Sequence, residues 1–516
     1  MLIIGNAYQP PCRQTVTETH IPALFEVERD EQAKEMTGVR GTLLIDGRTD
    51  FNRGLASSSF VSKTSEQVID SFDFAIDGQT AAVYVGNLEF SLHFVEANRG
   101  ICVGLCTDNC STMRATRELF SKQHPEILSF ACTDHLLDLL MNYFAEASIV
   151  DSVIARVKAI QNIFRKHSRI LSALKTIPGY IIPQVPNDTR WHYSSDMVNN
   201  FLKNRNALIS CSHLEDVEEL IQPYSNQLKW LYDSHFIASV RRVSNLLEPF
   251  KVAIKTAESD KCSAECVVDL WLELKAKLDV LPADIWRSDS CKATFFDKFE
   301  DHKMALSDGH FAAFYLHPLF DNSRLSSIQK KRAVDYCAKY INMDFLVCWS
   351  VSDLSCLGIP APIDFVEKNK TKSLKMFWQY CAAESDCVDV HQTMMLAVRL
   401  DGLVSTTASQ ERIFSTYSDV LANKKRSRLR SKLVLQTVFL KRRLNAKLKI
   451  AKARAQTAIS SASGSVSTST STSTSTSNFA SNSESNITSD DIDVFEMVID
   501  DALNNVLQLD ASDDDE

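Results

Sequence analysis

The stretch ICVGLCTDNC, residues 101–110, is a run of small and apolar residues that stops at a carboxylate. Residues 101–106 have the composition of a short buried strand. Asp108 follows just after this run, and its charge is costly to bury without a cation or a hydrogen-bonding partner. We therefore predict a buried strand with Asp108 at its end, and the rest of the chain must supply what compensates this charge.

A second carboxylate has a similar position nearer the start of the chain. TLLID, residues 42–46, reads as a short strand that ends at Asp46, and the Asp-Gly pair formed with Gly47 is a turn signal. Neighbouring strands bring their ends together, so Asp46 and Asp108 are expected to be adjacent. Clustered carboxylates repel one another unless a divalent cation compensates them, and Mg²⁺ held by Asp and Glu serves displacement at phosphorus. The alternative is that each aspartate is an ordinary turn or cap residue.

The chain around these aspartates alternates between strand-like and helix-like segments. SSSFV at 57–61, SFDFAI at 71–76 and EILSFACT at 126–133 are candidate strands. The segments 78–98 and 134–147 are candidate helices. Successive strands followed by helix–strand alternation predict a mixed α/β sheet.

From about residue 150 to 390 the pattern changes to one helix after another. In residues 151–174 apolar side chains recur at helical spacing on one face, namely Val153, Ile154, Val157, Ile160 and Phe164. A stretch of this length is too long for a loop, so we predict an all-α domain inserted into the sheet or following it.

A third carboxylate, Glu411, lies at the start of an amphipathic helix. Thr407 and Gln410 have the spacing of a capping box, which places Glu411 in the first turns. There it is available to a metal site, or it simply complements the helix dipole. The buried stripe of this helix is predicted to be Ile413, Phe414, Tyr417, Val420 and Leu421. A second helix with a basic face is marked by Leu429, Leu433, Leu440 and Leu444.

The net charge of −9 averages two opposed segments. Residues 456–516 contain 12 Asp and Glu and no Lys or Arg, so the rest of the chain has 53 acids against 56 Lys and Arg. Residues 424–454 contain 13 Lys and Arg and no acid. This asymmetry is typical of a polyanion-binding patch beside an acidic tail. The basic run KKRSRLR at 424–430 is alternatively a solvated helix face or a nuclear import signal.

Composition narrows the class of protein further. With 516 residues and 45% hydrophobic side chains the chain can bury a sizeable core. It has no apolar run of membrane length and its start does not read as a signal peptide, so we expect a soluble intracellular protein. The 14 cysteines lack Cys-x-x-Cys spacing and are expected to be buried hydrophobes. Cys102 and Cys106 are predicted to share one strand face, without binding metal.

Five blocks of the sequence, in order, resemble those of hAT-superfamily transposases and of genes derived from them. The blocks are LLIDGRTDF, VGLCTDNCSTMRA, FACTDHLLDLL, TRWHYSSDM and STTASQERIFS, and the resemblance covers most of residues 41–445. It implies an α/β plus all-α fold: a ribonuclease H-like mixed sheet interrupted by a large helical insertion domain. The expected organisation is a lead-in without a zinc finger at 1–40, the first part of the core at 41–149, the helical insertion at 150–390, the end of the core with the dimerisation region at 391–455, and a disordered Ser/Thr-rich and acidic tail at 456–516.

The resemblance also assigns roles to residues. Its catalytic triad falls on Asp46, Asp108 and Glu411, which would bind Mg²⁺ or Mn²⁺. Two of its blocks are associated with DNA and fall on Cys132, His135, Arg190 and Trp191. Without the resemblance, Cys132, His135 and Trp191 would read as ordinary core residues. The basic run adds Lys424, Lys425, Arg426, Arg428 and Arg430 as candidate DNA contacts.

Two departures from the family pattern bear on function. Arg48 stands where the family commonly has an aromatic residue that handles a flipped base; an arginine can stack on a base or bind phosphate. A zinc finger of the kind found in this family needs two Cys and two His, and the first 40 residues contain only Cys12 and His20. We therefore expect site-specific DNA recognition to be missing.

Two functions are expected from these features. The first is a nuclear, oligomeric, DNA-binding DDE-type transposase or a derivative that cuts and joins DNA strands. The alternative is an inactive or domesticated copy that acts as a dimerising nuclear scaffold or transcriptional regulator. In that case the acidic tail would recruit protein partners.

Overall fold

The computed structural model describes residues 12–50, 53–73, 78–185, 192–259, 262–350, 373–421 and 431–463. These ranges are mostly helical and contain one five-stranded mixed sheet. The strands are β1 (Arg40–Asp50), β2 (Arg53–Val61), β3 (Glu66–Asp73), β4 (Ile101–Thr107) and β5 (Leu128–Ala131). The predicted combination of a mixed α/β sheet with a helical region is therefore confirmed.

Four helices lie before or between the strands or directly after β5: α1 (Ile21–Glu35), α2 (Ala81–Ala97), α3 (Ser111–Gln123) and α4 (Thr133–Ala147). The helical region that follows comprises α5 (Val150–Lys166), α6 (Ser168–Leu174), α7 (His192–Ser212), α8 (Glu215–Ile221), α9 (Ser234–Ala257), α10 (Ala264–Asp279), α11 (Asp289–Met304), α12 (Asp308–Tyr315), α13 (Ser327–Cys337), α14 (Met343–Ser350), α15 (Leu374–Glu384) and α16 (Val388–Leu400). The C-terminal pair is α17 (Ala408–Leu421) and α18 (Ser431–Ser463). Short helical turns are Arg13–Thr15, Val16–His20, Gln222–Tyr224, Ser225–Leu228, Lys229–Leu231, Ala283–Ile285 and Asn322–Arg324.

The sheet has the strand order β3-β2-β1-β4-β5. β1, β2 and β3 form an antiparallel meander. β4 runs parallel to β1, and β5 runs parallel to β4. The parallel pair β1/β4 requires a crossover, which α2 provides.

β1 is longer than the sequence pattern predicts. The Asp-Gly pair was expected to turn the chain, but Asp46 pairs with Ser57 and Gly47 pairs with Ala56 within the β1/β2 ladder. The strand continues to Asp50 because β2 supplies hydrogen-bonding partners past the point where β4 ends. The prediction that Asp46 ends the first strand is therefore wrong.

The two faces of the sheet pack into different apolar clusters. Leu43 and Phe60 pack with Leu88 of α2 on one face. Leu44 and Cys106, on the other face, belong to a cluster that runs through α4 into the helical region. Sheet and helical region thus share one continuous apolar core, which includes the predicted face of α5.

A β-bulge in β4 overturns the expected arrangement of its cysteines. The register with β1 shifts by one residue, since Gly41 pairs with Cys102 whereas Thr42 pairs with Gly104. The extra residue puts Cys102 against the α2 side of the sheet and Cys106 against the opposite side. The two cysteines therefore do not share a strand face. Some others, including Cys110 and Cys387, are exposed and do not match the expected burial.

Helices occupy part of the lead-in, for which no period was recognised, and the first residues of the predicted disordered tail. Within the lead-in, α1 packs against the edge strand β3, where the Gln32 side chain donates to the Val68 carbonyl at 2.8 Å and Arg29 donates to the Ile69 carbonyl at 2.7 Å. These contacts are polar, so they leave no apolar period in the sequence. At the other end, α18 continues to Ser463, past the predicted start of the tail at 456.

A third apolar cluster joins α1, α17 and α18 to the sheet. It contains Leu55 of β2 and Val68 of β3, together with Phe414, Val438 and Ile21. The C-terminal helices therefore close over the strands of the meander. None of the helices in the described ranges is both long and apolar enough to cross a membrane.

Candidate active site

Asp46 and Asp108 occupy matching positions on neighbouring parallel strands. Ile45 of β1 pairs with Thr107, the last residue of β4. The residue that follows each of them is an aspartate, so the register places Asp46 and Asp108 next to each other where β4 ends. Both side chains are half-buried.

The loop after β4 holds Asp108 through a set of short hydrogen bonds. The Asp108 carboxylate accepts the backbone N–H of Cys110 at 3.1 Å. Its carbonyl accepts the Thr107 hydroxyl at 2.8 Å and also the guanidinium of Arg117 from α3. Arg117 donates further to the Thr107 hydroxyl at 2.6 Å and to the Asn109 side chain at 2.8 Å. The loop is therefore tied to the first turns of α3.

The Asp46 carboxylate is oriented locally and has a tyrosine nearby. Its Oδ1 atom accepts the backbone N–H of Gly47 at 2.8 Å. Tyr84 of α2 is buried, and its burial raises the pKa of its phenol above the ordinary value; the charges of Asp46, Cys110 and Asp108 add to this rise. The raised pKa keeps Tyr84 protonated at neutral pH, within electrostatic range of the two carboxylates.

The first turn of α17, which contains Glu411, is bound to β1 and β2. The preceding residue, Gln410, donates from its side chain to the Leu44 carbonyl at 3.1 Å and to the Ser59 hydroxyl at 2.8 Å. Leu44 lies two residues before Asp46 on the same strand, so both belong to the face that α17 covers. Glu411 is half-buried in the first turn of α17.

The capping box predicted for this helix is wrong. The Thr407 hydroxyl donates to the thiol sulfur of Cys132 at 3.2 Å, and the Gln410 side chain is used by the sheet. The Thr406 hydroxyl instead accepts the backbone N–H of Ala408 at 2.9 Å. Tertiary partners replace the local reciprocal bonds that the spacing suggested.

The three predicted carboxylates do not form a ready-made ligand group. Within the ranges that the structure covers, no set of three or more His, Cys, Asp and Glu side chains is arranged to hold a metal ion. The donor chemistry of Asp46 and Asp108 nonetheless suits Mg²⁺, which commonly uses one or two carboxylates and keeps several water ligands. The pair fits a hydrated cation, with Glu411 outside its direct ligand set in this conformation.

Cys132 belongs to a buried network and not to the protein surface. Its thiol donates to the Asp134 carboxylate and its sulfur accepts the backbone N–H and the hydroxyl of Thr407, both at 3.2 Å. Burial, followed by the neighbouring Cys106 and Asp134, raises the pKa of Cys132 well above its usual value. His135, the other half of the pair that the resemblance associates with DNA, is half-buried one turn into α4.

Several predicted DNA contacts fall outside the residues that the structure describes: Arg190, Trp191, Lys424, Lys425, Arg426, Arg428 and Arg430. Arg48, by contrast, lies on β1 two residues beyond Asp46 and is exposed. It is the predicted DNA contact that the described chain places next to the carboxylate pair.

Part of the basic segment faces acids of the same chain. Arg443 contacts Glu35 at 2.6 Å and Glu28 at 3.4 Å, and Lys447 contacts Glu28 at 2.7 Å. Arg442 forms an ion pair with Glu66 of β3. These contacts attach α18 to α1 and to the sheet edge, so this stretch of α18 is not simply a solvated basic face.

Tyr84 and Arg117 are the neighbours of the carboxylate pair that sequence reasoning missed. Tyr84 reads as one apolar residue of a buried helix, and Arg117 reads as a surface residue of α3. The only local signal is that Arg117 lies nine residues after Asp108, in the helix that directly follows the strand. No protein-family model matches the chain, and no curated protein is significantly similar to it.

Proposed function

We propose that this chain is a hAT-like, transposase-derived DNA-binding protein with a metal-dependent site for DNA strand cleavage and transfer. The register of β1 and β4 carries the proposal, because it places Asp46 and Asp108 next to each other where β4 ends. Carboxylates of Asp and Glu are the side chains that hold Mg²⁺ for chemistry at phosphodiesters.

The order of the elements supports a ribonuclease H-like core. All five strands of the sheet lie in the first part of the chain, a long helical region follows β5, and α17 then returns to the face of β1. This matches a core interrupted by a helical insertion, as the resemblance implies. The continuous apolar core between sheet and helical region makes the insertion an integral part of the fold.

The residues around the pair have separate tasks in this proposal. Asp46 and Asp108 hold the cation, which would activate a water or a freed hydroxyl and stabilise the leaving oxygen. Glu411 stands on the same face and would approach the site when DNA is bound. Exposed Arg48 binds the backbone phosphates or stacks on a base beside the site. The chain works in the nucleus as a homo-oligomer joined through its C-terminal region.

A second candidate is a catalytically inactive, domesticated copy that serves as a dimerising nuclear scaffold or transcriptional regulator. Two observations favour it. The described side chains offer no three-ligand metal group, and Arg48 replaces the expected aromatic residue. In this case the acidic tail recruits protein partners, and DNA binding persists without cleavage.

A cleavage assay separates the two candidates. Full-length protein is incubated with nicked and branched DNA in Mg²⁺ or Mn²⁺, and the wild type is compared with Asp108→Asn. We expect strand cleavage by the wild type and a loss of at least about 100-fold in Asp108→Asn, since the substitution removes a ligand charge.

Asp289→Asn is the matched control, because Asp289 is an exposed residue at the start of α11 in the helical region. It should cleave like the wild type. DNA binding and self-association without cleavage by any variant would overturn the enzymatic proposal and support the scaffold.

A further inference from the structure

We propose that Arg117 is a positioning residue that fixes the Asp108 loop in the geometry needed for cation binding. The inference rests on the proposed function, since it deepens the account of the same site. Its basis is the set of hydrogen bonds that Arg117 donates to the loop.

Arg117 contacts three consecutive residues of the loop. Its guanidinium donates to the Thr107 hydroxyl at 2.6 Å, to the Asp108 carbonyl and to the Asn109 side chain at 2.8 Å. A planar guanidinium presents several donors in a fixed arrangement, so one side chain sets the orientation of the whole turn. Lysine has a single ammonium centre and cannot reproduce all these contacts.

The arrangement leaves the Asp108 carboxylate free to serve a cation. Among the described contacts, Arg117 donates a hydrogen bond to the main-chain carbonyl of Asp108 and forms no ion pair with the Asp108 carboxylate. The carboxylate accepts a hydrogen bond from the Cys110 backbone N–H at 3.1 Å, and the Cys110 thiol also bonds to it. Arg117 thus restrains the backbone on either side of the carboxylate, and its charge acts on the carboxylate without direct contact.

The same helix provides a comparison for the effect of charge alone. Arg114 lies one turn earlier on α3 and is exposed, whereas Arg117 is partly buried against the loop. Removing either arginine deletes one positive charge near the site. Only the removal of Arg117 also releases Thr107, Asp108 and Asn109.

The test measures Mn²⁺ binding to the full-length protein by electron paramagnetic resonance of the free ion. The variants are Arg117→Met, Arg117→Lys and Arg114→Met, with Asp108→Asn as the site-null variant. We expect the Kd of Mn²⁺ to rise about 10–100-fold in Arg117→Met, as for other residues that orient metal ligands. Arg117→Lys should be intermediate, and Arg114→Met should stay within about threefold of the wild type.

Hydrogen exchange in the metal-free protein provides a second readout. The Cys110 amide should exchange faster in Arg117→Met than in Arg114→Met, because the turn that carries the Asp108 carboxylate is released. Wild-type Mn²⁺ binding that Asp108→Asn abolishes but Arg117→Met leaves intact would overturn the positioning role alone. A wild type that does not bind Mn²⁺, or binds it equally well without Asp108, would overturn the proposed site itself.

Discussion

His310 of α12 is fully buried where the helical region meets the sheet. One ring nitrogen is 2.7 Å from the Ser307 hydroxyl and the other is 2.7 Å from the Ser405 hydroxyl. The ring also packs edge-on against Phe130 of β5. Because Ser405 accepts the Thr133 backbone N–H through its carbonyl, the histidine connects three distant parts of the chain.

The environment of His310 predicts a pH-dependent stability. Burial, with a smaller effect of Arg332, lowers the pKa of His310 to about 3. The unfolded chain takes up a proton below pH 6.5 whereas the folded protein does not, so the free energy of unfolding falls as the pH drops from 6.5 toward 3. The slope from this residue approaches about 1.4 kcal/mol per pH unit.

Urea unfolding of wild type and His310→Gln at pH 7 and pH 5 measures this effect. The variant should be about 1–3 kcal/mol less stable at pH 7, because a hydroxyl loses its partner, yet it should lose less stability on acidification. The exposed His235→Gln is the control and should keep the wild-type pH dependence. Equal pH dependence in wild type and His310→Gln would contradict the prediction.

At the residue scale, the sequence predicted the carboxylates and missed their supports. Asp46 and Asp108 were recognised because a charged residue after an apolar run is visible locally. Arg117 and Tyr84 were missed because their importance depends on what they contact. The local sequence around an arginine on a helix surface, or around a buried tyrosine, does not reveal whether a carboxylate lies nearby in the fold.

At the scale of elements, the contact between α1 and α18 shows most clearly that the fold joins segments which are distant in the sequence. Glu28 of α1 is buried, at 5% exposure, between Arg443 and Lys447 of α18. The segments lie more than four hundred residues apart in the chain. Acidic residues of α1 thus form ion pairs with part of the basic segment that was predicted to bind a polyanion.

Glu28→Gln should destabilise the protein by about 1–3 kcal/mol, because the buried position loses the charge that holds both Arg443 and Lys447. Asp30→Asn changes the same charge at an exposed position of α1 and should have an effect within about 0.5 kcal/mol. Chemical denaturation at low and high salt provides the measurement, and high salt should alter the Glu28 effect little since the carboxylate is buried. Equal effects of the two substitutions would show that the contact is not a stabilising one.

At the scale of the whole molecule, the segment between α16 and α17 connects the C-terminal helices to the sheet. The Thr42 hydroxyl of β1 donates to the Gly402 carbonyl and accepts the Val404 backbone N–H, both at 2.9 Å. Gly402 lies so close to β4 that an added Cβ would be 2.8 Å from Val103 and 3.2 Å from the backbone of Arg40. The return of α17 to the sheet depends on this close approach.

Gly402→Ala should therefore destabilise the fold by about 1–3 kcal/mol through overpacking. Gly86→Ala is the matched control, because Gly86 is inside α2 with no atom within 4 Å of an added Cβ. That change should be neutral or stabilising by about 0.5–1 kcal/mol. The measurement is the free energy of unfolding of each variant relative to the wild type. A Gly402→Ala protein as stable as the wild type would argue against the close contact.

The sequence by itself determined the presence of a mixed sheet, the long helical region and the two aspartates that follow apolar runs. These features follow from periodicity and local propensity, which act over a few residues. Tertiary structure alone decided that β1 runs past Asp46, that a bulge separates Cys102 from Cys106, and that Gln410 binds the sheet. In each case the outcome depends on a partner strand or helix that is distant in sequence, and no short window of sequence contains both partners.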